Sequence, residues 1–332
     1  MVADLGTQFD AVVKPSASSS MKTATPPVRK PPGPTRLSGG LGFKRYGPST
    51  IKESNLPIIN EKGMVIGYGV AYEGFVLDIR QEPGVLEAFT KVYDTPDLIV
   101  SFENVNMAFP NGTDLPPNKP LPHQDQDPKW PGFRGMQGII NIFPNCDDDG
   151  GLIASKGGHL LSEEFHEHFK NDPPPLCPST TEWYGYKEEG LAWLKDRGCE
   201  WVKVNTEPRD LILWNSRTPH YNLSPTGTNP RFCAYTCYMP AAEATQEDIM
   251  RKKIAFETTQ STTHLPDAIH VGGVPIVRDG KPRPYNTGKP RQPPRLGEVG
   301  MKLTGIPTSR LSKIHISKAF NIRWYIIIAA TN

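Results

Sequence analysis

The abundance of proline and glycine limits the fold of this 332-residue chain more than any other feature of its sequence. The chain contains 35 Pro and 30 Gly, together well above the usual share of about 12%. Proline inside a helix or a central strand removes a backbone hydrogen bond. The sequence therefore favours short strands joined by many turns over a bundle of long helices.

Apolar runs in the middle of the chain are short and rich in β-branched or aromatic residues, as strands require. These runs predict strands at 97–105, 138–143, 201–204, 211–214 and 232–238. Amphipathic patterns predict helices at 84–93, 159–170, 187–197 and 245–256, the last with Thr245 as its cap and Asp248 three residues on. We therefore expect a mainly β fold with flanking helices, of the sandwich or jelly-roll type.

The two ends of the chain differ from its middle. Residues 1–45 are rich in Pro, Ser, Thr and Lys, so we expect a disordered leader before a domain at 46–306. Residues 307–332 form a basic tail without clear helix caps. Seven Lys or Arg oppose two Asp or Glu in residues 1–50, and five oppose none in 299–332. Because the whole chain carries +2, its middle is acidic, and no basic face for nucleic acid is expected.

Cysteine usage and the apolar runs predict where the protein is found. The five cysteines are odd in number and widely spaced, which is typical of a reduced intracellular protein. The N terminus lacks a signal-peptide pattern, and the longest apolar run, 325–330, is too short to span a bilayer. We expect a cytoplasmic protein without a membrane partner; nothing in the sequence predicts its oligomeric state.

The stretch PLPHQDQDP at 120–128 places a histidine and a carboxylate one residue apart. On an extended strand, His123 and Asp125 point to the same face. An imidazole and a carboxylate can then bind one metal ion from the same side. A single His-x-Asp is common by chance and usually has no function, so the pattern needs support from elsewhere in the chain.

That support comes from PRDLILWNSRTPHYNLSPTGTNPR at 208–231. An apolar strand leads into a polar turn and His220, and Arg231 opens the next aromatic strand eleven residues later. Two histidines and one carboxylate leave one side of a metal open, which is the facial triad of non-haem Fe(II) oxygenases. An arginine on the next strand suits the distal carboxylate of a diacid, because guanidinium binds carboxylate through two N–H groups.

On these motifs the chain resembles the phytanoyl-CoA dioxygenase-like group of Fe(II)/2-oxoglutarate oxygenases, especially fungal members that act on small metabolites. The resemblance runs from about residue 67 to 304. His123 and Asp125 match the family's His-x-Asp, His220 its distal histidine and Arg231 its co-substrate arginine. The stretch DDDGGLIASKGGH at 147–159 is similar to the family's Gly-rich loop, with Gly158 in place of serine.

The resemblance implies a double-stranded β-helix, a jelly-roll variant, with His123, Asp125 and His220 as the catalytic Fe(II) ligands. It implies 2-oxoglutarate and O₂ as co-substrates, and succinate and CO₂ as products beside the oxidised substrate. Halogenating relatives have Ala or Gly in place of the carboxylate, so Asp125 argues against halogenation. We expect hydroxylation or desaturation of a small organic metabolite in secondary metabolism. The acidic middle makes a CoA thioester a poorer substrate than a free metabolite.

Two other functions fit a jelly roll. A non-catalytic binding module would have no reason to retain both the metal-binding residues and Arg231. A zinc-dependent hydrolase or isomerase could use the same ligands, but Arg231 and the lack of a general base beside His220 count against it. Dependence on 2-oxoglutarate separates the oxygenase from both.

Three amides are further candidates for binding 2-oxoglutarate or the substrate. Gln137 and Asn141 share parity on a predicted strand, and both reach the barrel interior if that parity faces inwards. Hydrogen bonds to neighbouring strands are an equal alternative, because a buried amide needs partners in either case. Asn222 lies two residues past His220, where it could help to seat the co-substrate.

We expect the remaining histidines to have structural roles and not to take part in the metal site. His159, His166 and His168 lie on a predicted amphipathic helix, where they are expected to face water. His264 and His270 follow the predicted barrel strands, and we expect them to be capping or core residues.

Overall fold

In a computed structural model, the chain is described at residues 47–59, 63–65, 67–110, 119–172, 182–267, 277–278, 281–282, 287–306 and 324–327. The predicted leader, His270 and all of the predicted tail except 324–327 lie outside the described residues. Among the described residues, no helix is long and apolar enough to cross a membrane.

Short strands dominate, as the proline and glycine content predicts. The strands are β1 (Met64–Val65), β2 (Leu98–Val100), β3 (Val105–Ala108), β4 (His123–Gln124), β5 (Met136–Asn141), β6 (Gly151–Lys156), β7 (Tyr184–Gly185), β8 (Glu200–Lys203), β9 (Leu211–Asn215), β10 (His220–Leu223), β11 (Arg231–Tyr235), β12 (Tyr238–Pro240), β13 (Val277–Arg278), β14 (Lys281–Pro282) and β15 (Trp324–Ile327). The helices are α1 (Gly74–Arg80), α2 (Pro83–Tyr93), α3 (Ser162–His168), α4 (Glu188–Asp196), α5 (Gln246–Glu257) and α6 (Glu298–Thr304).

Two largely antiparallel sheets form the double-stranded β-helix. Among the described residues, the larger sheet has eight strands, in which β5 pairs with β9, β11 and β12, and β3 joins β11 to β1. The smaller sheet has five described strands in the order β7, β4, β10, β6, β8. One buried cluster joins the inner faces of the two sheets, with Leu152 from the smaller sheet against Ile139, Ile212 and Trp214 from the larger. The predicted jelly roll is therefore confirmed.

Helices cover the outer face of the larger sheet. Side chains of α2, such as Val85 and Phe89, pack with Met136 and Ile140 of β5 in the main apolar core. Helix α5 begins with a capping box, in which Thr245 accepts from the Asp248 N–H group, as the sequence predicts. This layer holds the large sheet rigid beneath the site.

Some elements differ from their predictions. The predicted strand 97–105 is two strands, because the Ser101 N–H bonds to Cys237 and β3 then pairs with β11 in a different register. The predicted strand 232–238 divides into β11 and β12 for the same reason. Strand β15, in a region where no strand is predicted, pairs in parallel with β9 at the edge of the larger sheet.

Candidate metal centre

The smaller sheet brings the two sequence-predicted metal motifs together. His220, at the start of β10, lies directly opposite His123 of β4, and Asp125 follows β4 by one residue. One ligand atom from each of these three residues lies within 4.8 Å of the other two. Both imidazoles are 3% exposed, so the group forms a buried N, N, O cluster that could hold a metal ion.

Hydrogen bonds fix which nitrogen of each ring faces the cluster. The Nδ1–H of His123 donates to the Leu121 carbonyl at 2.6 Å, and that of His220 donates to the Thr218 carbonyl at 2.9 Å. Because a neutral imidazole carries one proton, each Nε2 then presents a lone pair. These Nε2 atoms lie 3.5 and 3.4 Å from the Asp125 carboxylate oxygens. Donor atoms on metal bonds of about 2.1 Å at right angles are about 3 Å apart, so the residues fit a metal ion.

The Asp125 carboxylate is oriented from the larger sheet. The Gln137 amide donates to Asp125 Oδ2 at 3.0 Å, and the Asp125 N–H donates to the Ser216 carbonyl at 3.0 Å. His264 Nε2 donates to the Asp125 carbonyl oxygen at 2.9 Å. The Gln137 side chain is therefore buried and points towards the Asp125 carboxylate. Its direct partner is the carboxylate, and its contact with a co-substrate stays a prediction.

The Gly-rich loop before α3 supports the turn that precedes His220. Gly158 stands where the resembled family has serine. A Cβ atom there would lie 2.7 Å from Pro219 Cδ and 2.9 Å from Ser155 Oγ, closer than real Cβ atoms approach other atoms. The loop thus has no room for a side chain against the residue next to His220.

Arg231 begins β11 inside the barrel. Its side chain is 3% exposed, and Nη1 donates to Asn106 Oδ1 at 3.0 Å. Its Nε atom is buried without a hydrogen-bond partner, and among the described residues no carboxylate forms an ion pair with it. A buried cation normally has a counter-charge, so this guanidinium is available to an anionic ligand.

The other two predicted amides also reach the interior. Asn141 lies opposite Cys233 on the strand of Arg231 and donates to Thr206 Oγ1 at 2.6 Å. Asn222 donates to the Tyr235 hydroxyl at 3.5 Å, and its own Oδ1 is buried without a partner. Burial raises the pKa of the Tyr235 phenol, so that hydroxyl keeps its proton. Roles for Asn141 and Asn222 in binding a co-substrate stay predictions.

The prediction that the histidines of α3 and its preceding turn face water is wrong for two of three. His159 is 5% exposed, and His166 Nε2 donates to Oε1 of Gln124, a residue of β4, at 3.1 Å. Burial lowers the pKa of both imidazoles to about 4. Only His168 is exposed. The amphipathic pattern failed for His166 because this residue and Ser162 both bond to the buried Gln124 amide, while Phe165 packs against Tyr184 and Tyr186.

No sequence pattern predicted the contacts that three residues make at the candidate metal centre. Asn106 accepts a hydrogen bond from Arg231, Gln124 is the second residue of β4, and His264 reaches Asp125 from 139 residues away. Strand parity indicates which face a side chain takes, but not which distant residue lies opposite.

Comparison with known proteins gives two sequence relatives, while no family model matches the chain. The chain is 37% identical over 228 residues to "Ava biosynthesis cluster protein O" of Aspergillus versicolor, covering 68% of this chain and 73% of that relative. It is 23% identical over 107 residues to the "Putative phytanoyl-CoA dioxygenase" of Dictyostelium discoideum, covering 32% of this chain and 28% of that one.

Two solved structures are similar at low scores. The epimerase SnoN in complex with Fe³⁺, alpha ketoglutarate and nogalamycin RO is 18% identical with a TM-score of 0.37, and the match covers 50% of this chain and 59% of that chain. EctD from S. alaskensis with 2-oxoglutarate and 5-hydroxyectoine is 14% identical with a TM-score of 0.31, covering 52% of each. The chain therefore spans less than two thirds of these solved chains.

Proposed function

This chain belongs to the same family as the Ava biosynthesis cluster protein O of Aspergillus versicolor, and on that premise we propose that it is a phytanoyl-CoA dioxygenase-like, non-haem Fe(II)- and 2-oxoglutarate-dependent oxygenase that oxidises a small organic metabolite. The observation that carries the proposal is the largely buried cluster of His123, Asp125 and His220, together with a buried guanidinium in the same barrel whose Nε–H has no hydrogen-bond partner. We assign those three residues as the iron ligands and Arg231 as the co-substrate arginine.

Fe(II) with bound 2-oxoglutarate and O₂ supplies the oxidation: two electrons come from the keto acid, which becomes succinate and CO₂, and two from the substrate. The chain's part is to hold the metal on one face. The two Nδ1–H bonds to backbone carbonyls keep both Nε2 lone pairs directed at the metal. The Gln137 amide holds the Asp125 carboxylate at a fixed angle.

Arg231 holds the distal carboxylate of 2-oxoglutarate in the barrel. Asn106 occupies one Nη1 proton, which leaves Nε–H and the far side of the guanidinium for a bidentate contact. The apolar cluster containing Ile139 and Leu152 excludes water between the sheets, so that charge-assisted bonds are stronger there than in water. These features together favour a dicarboxylate keto acid over a monocarboxylate.

A small metabolite as substrate is supported by the Aspergillus relative, which is named for a biosynthesis cluster. The wall nearest the ligands also suits an organic molecule. The Trp183 ring meets His123 edge-on, with centroids 6.0 Å apart, and gives an apolar surface beside the metal. We propose hydroxylation or desaturation as the outcome, because both need only the removal of two electrons from the substrate.

Succinate formation tests the proposal. The purified protein is incubated with Fe(II), 2-oxoglutarate and a panel of small fungal metabolites, and succinate is measured by mass spectrometry. We expect at least one metabolite to increase 2-oxoglutarate-dependent succinate release, with loss of release in Asp125→Ala. Asp148→Ala, at an exposed aspartate outside the centre, serves as the matched control. Turnover that persists in Asp125→Ala, or that proceeds with zinc and without 2-oxoglutarate, would contradict the proposal.

A further inference from the structure

Gln124 lies between the proposed ligands His123 and Asp125 in the sequence, but its side chain points to the opposite face of β4. Side chains alternate along a strand, so Gln124 projects from the face opposite His123 and Asp125. It is 1% exposed, and its backbone pairs with Tyr184 of β7. An amide buried this deeply needs hydrogen-bond partners for both its oxygen and its nitrogen.

The Gln124 amide has hydrogen-bond partners on both its oxygen and its nitrogen. Its Oε1 accepts from the Tyr186 hydroxyl at 2.7 Å, from His166 Nε2 at 3.1 Å and from Ser162 Oγ at 3.4 Å. Its Nε2 donates to the Gln126 carbonyl at 3.0 Å. The side chain is therefore locked in one orientation, with its oxygen held by three donors.

Those donors belong to a rigid part of the fold. Ser162 and His166 lie on α3, and Tyr186 lies in a buried aromatic cluster in which its ring centroid is 4.9 Å from that of Phe165. The Tyr186 N–H also donates to the Pro122 carbonyl at 2.9 Å. Tyr186 thus makes two hydrogen bonds to the segment that contains β4. Its N–H bonds to Pro122, just before His123, and its hydroxyl bonds to the Gln124 side chain.

Gln126 extends the same network to the other side of Asp125. Its Nε2 donates to the Trp130 and Gly132 carbonyls, each at 2.9 Å, and its Oε1 accepts from Ser216 Oγ at 2.7 Å. The Ser216 carbonyl accepts from the Asp125 N–H group. Hydrogen bonds to Ser216 therefore join the backbone at Asp125 to the turn that leads to His220.

We propose that Gln124 is a positioning residue, which holds His123 and Asp125 at metal-binding distance through its bonds to Tyr186 and His166. The proposal rests on the assignment of these two residues as iron ligands. A metal site needs its ligands held within about 0.5 Å, and loss of a residue that orients a ligand typically weakens metal binding about 10- to 100-fold. Loss of the hydrogen bonds to Gln124 Oε1 would let the backbone between His123 and Asp125 move.

Two tyrosine variants test this role. Tyr186→Phe removes the hydroxyl that holds Gln124 and keeps the packed ring. Tyr184→Phe is the matched control, because Tyr184 lies in the same aromatic cluster and its hydroxyl has no hydrogen bond among the described residues. Fe(II) affinity is measured anaerobically by competition with a chromogenic chelator, together with the melting temperature of the metal-free protein. The visible absorption maximum of the Fe(II)–2-oxoglutarate complex is also recorded.

We expect Tyr186→Phe to raise the Fe(II) dissociation constant about tenfold and to shift the absorption maximum, while Tyr184→Phe changes the constant less than twofold. Gln124→Met should raise the Fe(II) dissociation constant more than Tyr186→Phe does. If Gln124→Met does not fold, the comparison of Tyr186→Phe with Tyr184→Phe still tests the proposal. Unchanged Fe(II) affinity and absorption maximum in Tyr186→Phe would overturn the role of Gln124 alone, even if its melting temperature falls. Wild-type protein that binds no Fe(II) would overturn the proposed function and this inference together.

Discussion

Replacing Arg231 by alanine should weaken 2-oxoglutarate binding about 100-fold. The side chain is 3% exposed and keeps its Nε–H unpaired, so a carboxylate can accept two N–H bonds from it. Hydrogen bonds to charged groups contribute about 1.5–3 kcal/mol each. The lower value for two bonds gives about 3 kcal/mol, and each 1.4 kcal/mol is a factor of ten in the dissociation constant. Arg231→Lys should lose less, because lysine keeps the charge but not the planar fork.

A shorter keto acid isolates this contact. 2-Oxobutyrate keeps the carboxylate and keto group that chelate the metal but has no distal carboxylate. Binding of both keto acids to the Fe(II)-loaded wild type and to Arg231→Ala is measured by anaerobic calorimetry. The four dissociation constants form a double-mutant cycle in which one change is in the protein and the other is in the ligand. We expect Arg231→Ala to weaken 2-oxoglutarate about 100-fold and 2-oxobutyrate less than twofold. Arg197→Ala, at an exposed arginine directly after α4, should change neither. Equal weakening of both acids in Arg231→Ala would refute the reasoning, because the loss would then come from damage to the barrel.

Three further changes have defined outcomes. Gln137→Leu removes the N–H bond to the proposed aspartate ligand and should raise the Fe(II) dissociation constant about 10- to 100-fold in chelator competition. His159 and His166 titrate near pH 4 when folded, against 6.5 for a free imidazole, so the unfolded chain binds more protons between these values. The free energy of unfolding, measured by urea titration, should therefore fall as pH drops from about 6.5 to 4. Gly138→Ala would place a Cβ atom 2.6 Å from the carbonyl oxygen of Thr236, between β11 and β12, and should lower that free energy by about 1–3 kcal/mol. Gly74→Ala, where no atom lies within 4 Å, is its control.

Local patterns in the sequence predicted the parts of the site that depend on local geometry. The one-residue spacing of His123 and Asp125 placed both on one side of β4, and the strand start at Arg231 placed its guanidinium in the barrel. Thr245 and Asp248 gave the start of α5 for the same reason, because a helix cap involves residues three apart.

Contacts between distant segments could not be predicted in this way. His264 reaches Asp125 only after the chain has completed both sheets. His166 looked like a surface histidine because its helix is polar on that side, yet its partner is a buried glutamine amide. Such pairs depend on sheet register and helix docking, which long-range packing decides and a single sequence does not encode locally.

Anaerobic titration of the metal-free protein with Fe(II) and then 2-oxoglutarate tests the central claim most directly. Chelation of the keto acid at the iron gives a weak visible charge-transfer band, and no knowledge of the substrate is needed. The assignment of His123, Asp125 and His220 predicts a band that saturates with Fe(II), disappears in Asp125→Ala and His220→Ala, and remains in Asp148→Ala. Folded wild-type protein that gives no band, or a band that survives in both ligand variants, would contradict it.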